Sequence, residues 1–562
     1  MSKIKTVITS FFSDLKTYWK VPRPGEYVSN KEFLWFCVGA SGSNSAAAVL
    51  TYITFTASCF LVGAIYGISF DDIYKISLIG LPFSYIWNFA NMMVTDNLGE
   101  LPDKSYRTFK IIFIPLFFVG MGLFFVPQTL TEKFMPALPQ IVGGIICVNV
   151  FNIFYRIFVL KKLAPKYGKY RPWIIVGVFP TIAAYMLIVY LPFTSMPYHT
   201  RLWVLNLLFC IASVFSSFCG QLGNLQNVLS PNSDERVRMM SIGAIVYSAF
   251  PSLVNILLPI FAGTGGMNNI KTYRVIIPIM LIAFSLLTLT LFFGTREKVI
   301  VAKSHKPSIS FWVGTKSVLK NKYHWIVNLS SAGNAITTGS IVLANIIFVY
   351  SMREDWLMGI YSGIIGTAYV PGMLIASYLI KKFDKRNLVL FSKLISLLSL
   401  AAQYYSLRVN NVVLFIIFSY ITTLLSTPSS IAATAMGADI WDYQQYLTGE
   451  RLDGFAGIFS MLLTPVTTLA AMLIPFLYSE VGFTSDWDIL YESAIRNEVI
   501  NITILVAAAA VVLTAIPYFF YDLSIDKHRR IIEELKVRAE KEDQANAQAA
   551  EAESGKELQY QS

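Results

Sequence analysis

The chain has 562 residues, 55% of them hydrophobic and 14% charged, with a formal net charge of +11 and a mean hydropathy of +0.56. A soluble protein carries about 25% charged residues, so the composition argues against soluble domains and for repeated passage through a membrane. The positive balance does not point to nucleic acid, because the basic residues gather in alternate loops rather than on one amphipathic face.

The first 33 residues open with MSKIKTVITSFFSDLKTYWK, which is amphipathic and basic. It lacks an apolar core and a cleavage site, so it reads as a segment on the inner membrane surface rather than a signal peptide. Fourteen apolar segments follow. Eight lie at about 34–66, 72–96, 109–128, 138–160, 173–194, 202–230, 238–264 and 274–296. Six more lie at about 324–350, 356–380, 387–408, 411–438, 454–480 and 498–521. Each is long enough to cross a bilayer, which needs about 20 apolar residues. Loops holding Lys104 to Lys110, Arg156 to Arg171, Arg236 with Arg238, and Lys381 to Arg386 are basic, as is the central loop at 297–323. The intervening loops carry few basic residues. This alternation places both termini in the cytoplasm and requires an even number of crossings. The last stretch, 522–562, reads as a short interfacial helix fading into a polar tail.

The expected architecture is therefore all-α and polytopic, in a cell membrane. A transmembrane half of about eight helices (34–296) and one of six helices (324–521) flank the central loop. LKKLAPKYGKYRPW at 160–173 and IKKFDKRNLV at 380–389 form an internal echo, each after an apolar segment. The echo sets the halves in register as two six-helix repeats, with one extra helix pair near the start. Paired repeats of this kind build many secondary transporters. The five cysteines lie in apolar segments without CxxC or Cys/His spacing, so neither disulfides nor a metal site is expected. No nucleophile–base pair is visible, and the four histidines lie in loops, tails or segment edges, so no enzyme is expected.

Three motifs, GKYRPW (168–173), SPNSDERVRMMS (230–241) and ADIWDYQQYLTGERLDG (438–454), occur in that order. Together they resemble the glycoside–pentoside–hexuronide:cation symporters, the melibiose-permease group of the major facilitator superfamily. TREKV at 295–299, KNKYHWIVNL at 320–329 and YDLSIDKHRRIIEEL at 521–535 extend the resemblance over about 137–540. It implies the major facilitator fold and alternating access to a small solute. Physically, Lys166, Lys169 and Arg171 at one helix end are expected to face Asp439, Asp442 and Glu450 of the other half. Arg236 and Arg451 belong to the same motifs and complete the expected gate. Salt bridges there would hold the inner mouth shut and break when it opens.

The departures from the family are equally informative. The family's acid pair before GKxRPW falls on Asn149 and Ile153 with Asn152 between, or, in another alignment, on Asn88 and Met92. Its helical lysine falls on Pro465, its sugar-binding aspartate near Cys219 or Gly220, and its sugar-binding arginine near Ala244. Neutral amides take their place. Gln221, Asn224 and Asn227 recur every three residues on one helical face. Asn334, Thr338 and Asn345 are expected on one face of the first helix of the second half. Asn149 with Asn152, and Trp87 with Asn88 and Asn91, add to the set, Trp87 as a candidate stacking ring. Amides facing lipid are costly, so the set points to a neutral hydroxylated solute such as a sugar. Arg156 is expected to reach toward the inner surface.

No carboxylate lies near the middle of any segment, although an intramembrane acid is the usual coupling group. The leading expectation is uniport or weak coupling. A sugar symporter using Na+ or H+ through a non-standard site, and a transporter-derived receptor or scaffold, stand as alternatives.

Overall fold

A computed structural model describes residues 16–24, 26–96, 103–127, 131, 134–168, 170–220, 225, 229–230, 250–258, 260–261, 266, 268–298, 311–409, 411–448, 457–535 and 537–538. The described residues form helices and turns without a strand. Ten of these helices are long and apolar enough to cross a membrane. They correspond to ten of the fourteen expected segments. Of the other four, 72–96 forms the 27-residue helix Phe70–Asp96, and 109–128 supplies the shorter apolar stretch Lys110–Leu123. Most of 238–264 lies outside the described residues, and 324–350 is broken.

The first segment is shorter than expected. Ser29 caps the helix Asn30–Thr51 by accepting from the Glu32 N–H at 3.3 Å. The helix ends where Thr51, Ile53, Thr54 and Thr56 crowd β-branched side chains together. A five-residue π turn follows at Leu61–Ile65. Helix Asn30–Thr51 packs on Ile270–Gly294 with almost touching backbones. A Cβ at Gly42 would lie 2.7 Å from the Phe284 carbonyl oxygen and 2.8 Å from the Thr288 nitrogen. Small residues are what permit such an approach between membrane helices.

The chain forms two compact units, one of Met1–Lys306, Thr338–Gly366 and Ala471–Thr503, the other of Pro307–Thr337, Thr367–Ala470 and Ile504–Ser562. Three second-half helices pass from one unit to the other at interruptions. The stretch Lys322–Ser351 stops being α-helical after Gly333 and resumes at Leu343. Asp355–Thr367 gives way to Tyr369–Phe383, and Gly457–Ala471 gives way to Leu473–Glu480. Proline explains the last two. A proline removes the N–H that would bond the carbonyl four residues earlier. Four residues before Pro371 is Thr367, and four before Pro475 is Ala471.

Within the first unit an aromatic group joins residues distant in sequence. Phe60 lies 5.1 Å from Trp487, Phe70 lies 5.0 Å from Phe483, and Tyr350 lies 5.1 Å from Tyr491, between ring centroids. Asn268 donates to the Tyr350 hydroxyl at 3.1 Å.

The internal echo has a structural counterpart in each unit. Arg171 donates through Nε to the Phe292 carbonyl at 3.2 Å, and its Nη2 reaches the same oxygen. Arg386 donates to the Phe519 carbonyl at 2.8 Å. Each arginine follows the basic loop of its half and ties down the end of the last helix of that half. A residue with positive φ precedes the helix of each arginine, Gly168 at 96° three residues before Arg171 and Asp384 at 64° immediately before Lys385. At Gly168 the reason is visible. Glu297 Oε1 accepts from the Tyr170 and Arg171 backbone N–H groups at 2.8 and 3.0 Å, and a Cβ at Gly168 would lie 2.5–2.7 Å from that carboxylate. An anion at a helix start both accepts orphan N–H groups and suits the helix dipole. Glu32 likewise accepts from the Arg296 N–H at 2.9 Å and pairs with Lys298.

Replacing Gly42 with Val is expected to destabilise the folded protein by about 1–3 kcal/mol through overpacking. A thermal unfolding midpoint in detergent equal to that of the parent would refute the close approach. Glu297→Ala removes the acceptor at the Arg171 helix start and is expected to cost about 0.5–2 kcal/mol, the scale of a lost helix cap. Glu297→Gln keeps one oxygen and should recover part of the loss; identical midpoints for all three proteins would show the contact to be idle.

Candidate functional site

The acids expected at the gate lie near the end of the long helix Val412–Thr448. Asp439 is buried and hydrogen-bonded by Lys385 Nζ, which the turn at Asp384 delivers. Asp384 Oδ1 accepts from the Lys385 N–H at 2.6 Å and so caps the helix Lys385–Arg408. His528, from the helix at 525–535, places Nε2 3.1 Å from Asp442 Oδ2 and 3.7 Å from Asp439 Oδ1. One turn further along, Gln444 Oε1 accepts from buried Asn321 at 2.9 Å, and Gln444 Nε2 donates to Ser317 Oγ at 2.8 Å. Ser317 belongs to the helix Phe311–Lys320, which forms inside the expected central loop.

Tyr323 and Lys322 then tie the start of the next helix to Asp522, at 2.7 and 2.8 Å. Burial pushes the Asp522 carboxyl up, but hydrogen bonds from Lys322 and Tyr323 and the charge of Lys527 outweigh it and hold the group at about 2. The contribution of this cluster is therefore present above the ordinary aspartate range and lost as pH falls toward 2. Four motifs recognised separately in the sequence thus form one polar network in the second unit. Lys385, His528 and Gln444 carry it, and Glu297 serves the Arg171 helix start of the first unit, without having been singled out. Their signal was membership in IKKFDKRN, YDLSIDKHRR, ADIWDYQQY and TREKV, whose charges also serve topology.

The first-half members of the expected gate have local partners too. Arg171 is held by Phe292 and by the Tyr167 carbonyl at 3.4 Å. Lys166 is exposed, with Nζ 5.1 Å from the centroid of its neighbour Tyr167. Lys169, Arg236, Glu450 and Arg451 lie outside the described residues.

The amide set divides three ways. Gln221, Asn224 and Asn227 lie outside the described residues. The side chains of Asn88 and Asn91 do also, although their backbone continues the helix Phe70–Asp96. Trp87 corrects an expectation. It is buried in a cluster with Ile146, Val150 and Ile153 and sits 5.2 Å from Phe113, so it packs the core instead of offering a free face. Asn334, Thr338 and Asn345 also differ from expectation. They do not share one helical face, because the helix stops at Gly333, passes through a 3-10 turn at Asn334–Thr337 and resumes at Leu343–Asn345. Glycines at 333 and 339 and a run of small polar residues disfavour continued helix there. Asn334 and Thr338 are exposed at the break, and Asn345 keeps a buried Oδ1 without a hydrogen-bond partner.

On the helix Leu138–Tyr167, Asn149 donates to the Ile145 carbonyl at 2.8 Å. Asn152 Oδ1 accepts from Arg156 Nε at 3.2 Å. The guanidinium carbon of Arg156 lies 5.5 Å from the Trp173 ring centroid. Arg156 therefore turns back along its helix toward Asn152 and does not extend toward the basic end.

A family model described as MFS/sugar transport protein matches residues 150–525. The glucuronide carrier protein homolog of Escherichia coli (strain K12) is 21% identical over 415 residues, covering 70% of this chain and 86% of that protein. The inner membrane symporter YicJ of the same organism is 22% identical over 386 residues, covering 66% of this chain and 80% of that one. The crystal structure of a bacterial homolog to the human lysosomal transporter Spinster, inward-facing and unoccupied, aligns with a TM-score of 0.48 and 12% identity, over 89% of this chain and 97% of that chain. The family match takes in the GKYRPW, SPNSDERVRMMS and ADIWDYQQY motifs, and the two relatives are a carrier homolog and a symporter. The chain belongs to the MFS/sugar transport protein family and is a multi-pass membrane transporter.

Proposed function

We propose that the chain carries a sugar or related neutral hydroxylated solute by alternating access, as a uniporter. The observation that carries this reading is the broken helix after Gly333, where Asn334 and Thr338 are exposed. Interrupted helices mark the solute site in many transporters, since irregular backbone at membrane depth is tolerated only beside a cavity or within protein. Amide and hydroxyl groups there suit hydroxylated ligands, and the family model is described by sugar transport. The other relative is named a symporter, which favours a second reading, coupled symport.

Both termini are proposed to be cytoplasmic, with two six-helix repeats and an extra pair. Contact parity supports the alternation of the loops between two sides, and the basic loops assign one of those sides to the cytoplasm. Tyr66 bonds the Ile188 carbonyl, Tyr190 bonds the Arg274 carbonyl, and Asn268 bonds Tyr350, each across an even number of expected crossings. Glu297 with Arg171, and Lys385 with Asp439, do the same among the basic loops. A gating role for Asp439 and Asp442 requires them to exchange Lys385 and His528 for other partners as the transporter changes state.

The test is uptake of radiolabelled methyl glucoside, methyl galactoside and xylose into sealed vesicles containing the purified chain. A uniporter brings at least one of them to the external concentration and no higher, whatever Na+ or pH gradient is imposed. Accumulation driven by either gradient would replace uniport with symport, and absence of both uptake and counterflow for all three would overturn the sugar-carrier reading. Asn334→Ala and Thr338→Ala should each slow counterflow by about 5- to 150-fold, the effect of losing one hydrogen bond of about 1–3 kcal/mol. Single cysteines at Ser317 and Asp486 test the topology, with labelling from outside expected only at Asp486; external labelling at Ser317 would invert it.

A further inference from the structure

Four stretches that the proposed topology puts on the outer side meet, within the first unit, around an open cleft of about 830 Å³. Small-molecule sites usually have about 300–1,000 Å³. The π turn Leu61–Ile65 and the start of the helix Ile270–Gly294 come from before the central loop. Val349, residues 353–355 and Tyr491 come from after it. Arg353 has a φ of 60°, a left-handed conformation that is costly for a residue with a side chain and that clusters at functional places. Its guanidinium carbon lies 5.1 Å from the Tyr491 ring centroid, and among the described residues no carboxylate pairs with it. Stacking on a ring uses the face of a guanidinium and leaves its N–H edge to donate. Asn269 Oδ1 accepts from the Lys271 N–H at 2.9 Å, while its amide nitrogen donates to no group among the described residues. Asp355 Oδ2 comes close to Gly266, where φ is 78° and a Cβ would lie 3.4 Å from that oxygen. Burial raises the Tyr491 hydroxyl, as do the charges of Asp488 and Asp355, and Arg353 opposes them. The cleft therefore presents both signs of charge, two amides and a tyrosine to one ligand.

We infer that this cleft is a second solute site, which holds a sugar-sized hydroxylated molecule between outer segments from before and after the central loop. A hydroxyl both donates and accepts, so such a molecule can take the N–H groups of Arg353 and Asn269 and give its own hydrogens to Asp355. A simple ion of either sign would satisfy one of these charges and be repelled by the other. Val349 and the Tyr491 ring offer apolar surface to the C–H faces of a sugar. The inference rests on the sugar reading for its ligand and goes beyond it in place, since the break after Gly333 supplies none of these residues. Alternating access requires the outer segments of the two halves to part. A solute bridging Asn269 to Arg353 loses contacts when they do, so its binding favours the state in which the outer side is closed.

Equilibrium dialysis of the full chain in detergent against radiolabelled methyl glucoside, methyl galactoside and xylose counts the sites. For at least one of these sugars the parent protein should bind two equivalents. Arg353→Gln and Asp355→Asn should each weaken the same one of them by about 10- to 150-fold, the scale of a lost hydrogen bond to a charged group. Asn334→Ala should weaken the other. A single equivalent in the parent, weakened by Asn334→Ala and untouched by Arg353→Gln, would overturn the inference and leave the sugar-carrier reading standing. A single equivalent weakened only by Arg353→Gln and Asp355→Asn would uphold the cleft and remove the helix break as a solute site. Two equivalents insensitive to both outer substitutions would put the second site elsewhere and sink the inference. So would saturable binding of radiolabelled glycine that Arg353→Gln abolishes while no sugar responds to that change, because the cleft would then belong to zwitterions. Absence of binding for all three sugars would overturn the cleft and the sugar reading together. The parent count needs no variant, so a misfolded substitution does not leave the question open.

Discussion

A helix ends with carbonyl groups that have no partner inside it, and a membrane gives them little water to turn to. Here the last helix of each half meets that demand with an arginine from a basic loop. Arg171 bonds the Phe292 carbonyl, and Arg386 bonds that of Phe519. The remaining contacts on the basic loops follow from this placement. Once Arg171 is fixed, its own backbone N–H meets Glu297, and Gly168 must lack a side chain to admit that carboxylate. Once Arg386 is fixed, its neighbour Lys385 reaches Asp439, and the long helix Val412–Thr448 is tied to the turn before Lys385–Arg408.

Much of this was legible in the chain before its coordinates. Apolar run lengths and charged loops located most of the helices, and the Lys-Lys echo located the two arginines without revealing what they hold. The helix breaks were harder to see. Pro371 and Pro475 sit in stretches apolar enough to read as single segments, because hydropathy does not register a missing N–H. The break after Gly333 is masked in the sequence because Asn334, Thr338 and Asn345 happen to recur at helical spacing. Glu297 and His528 were hidden for another reason. Their partners lie more than 80 residues away, and no periodicity connects charges across that distance.

The polar residues inside the apolar segments serve different purposes despite similar composition. Asn149 satisfies its own helix, Asn152 serves Arg156, and Trp87 fills space against Phe113. Among the described members of the expected amide set, Asn334 and Thr338 combine exposure with a backbone interruption. An amide in a membrane helix therefore says that something polar is nearby; the local backbone says whether that partner is the chain or a passing solute.

The two proline interruptions have a mechanical consequence. In an unbroken helix, bending stretches hydrogen bonds on the convex side, and that resistance makes the rod stiff. At Thr367 and Ala471 the bond that would be stretched was never formed. The second half thus contains two joints whose flexing is opposed by torsion and side-chain packing alone. Gly339 sits against one of them, where a Cβ would lie 2.5 Å from the Pro475 ring and 3.0 Å from the Ala471 carbonyl oxygen. The compliance of that joint is set by how a bare backbone slides over a proline ring, and any side chain at 339 would act as a wedge.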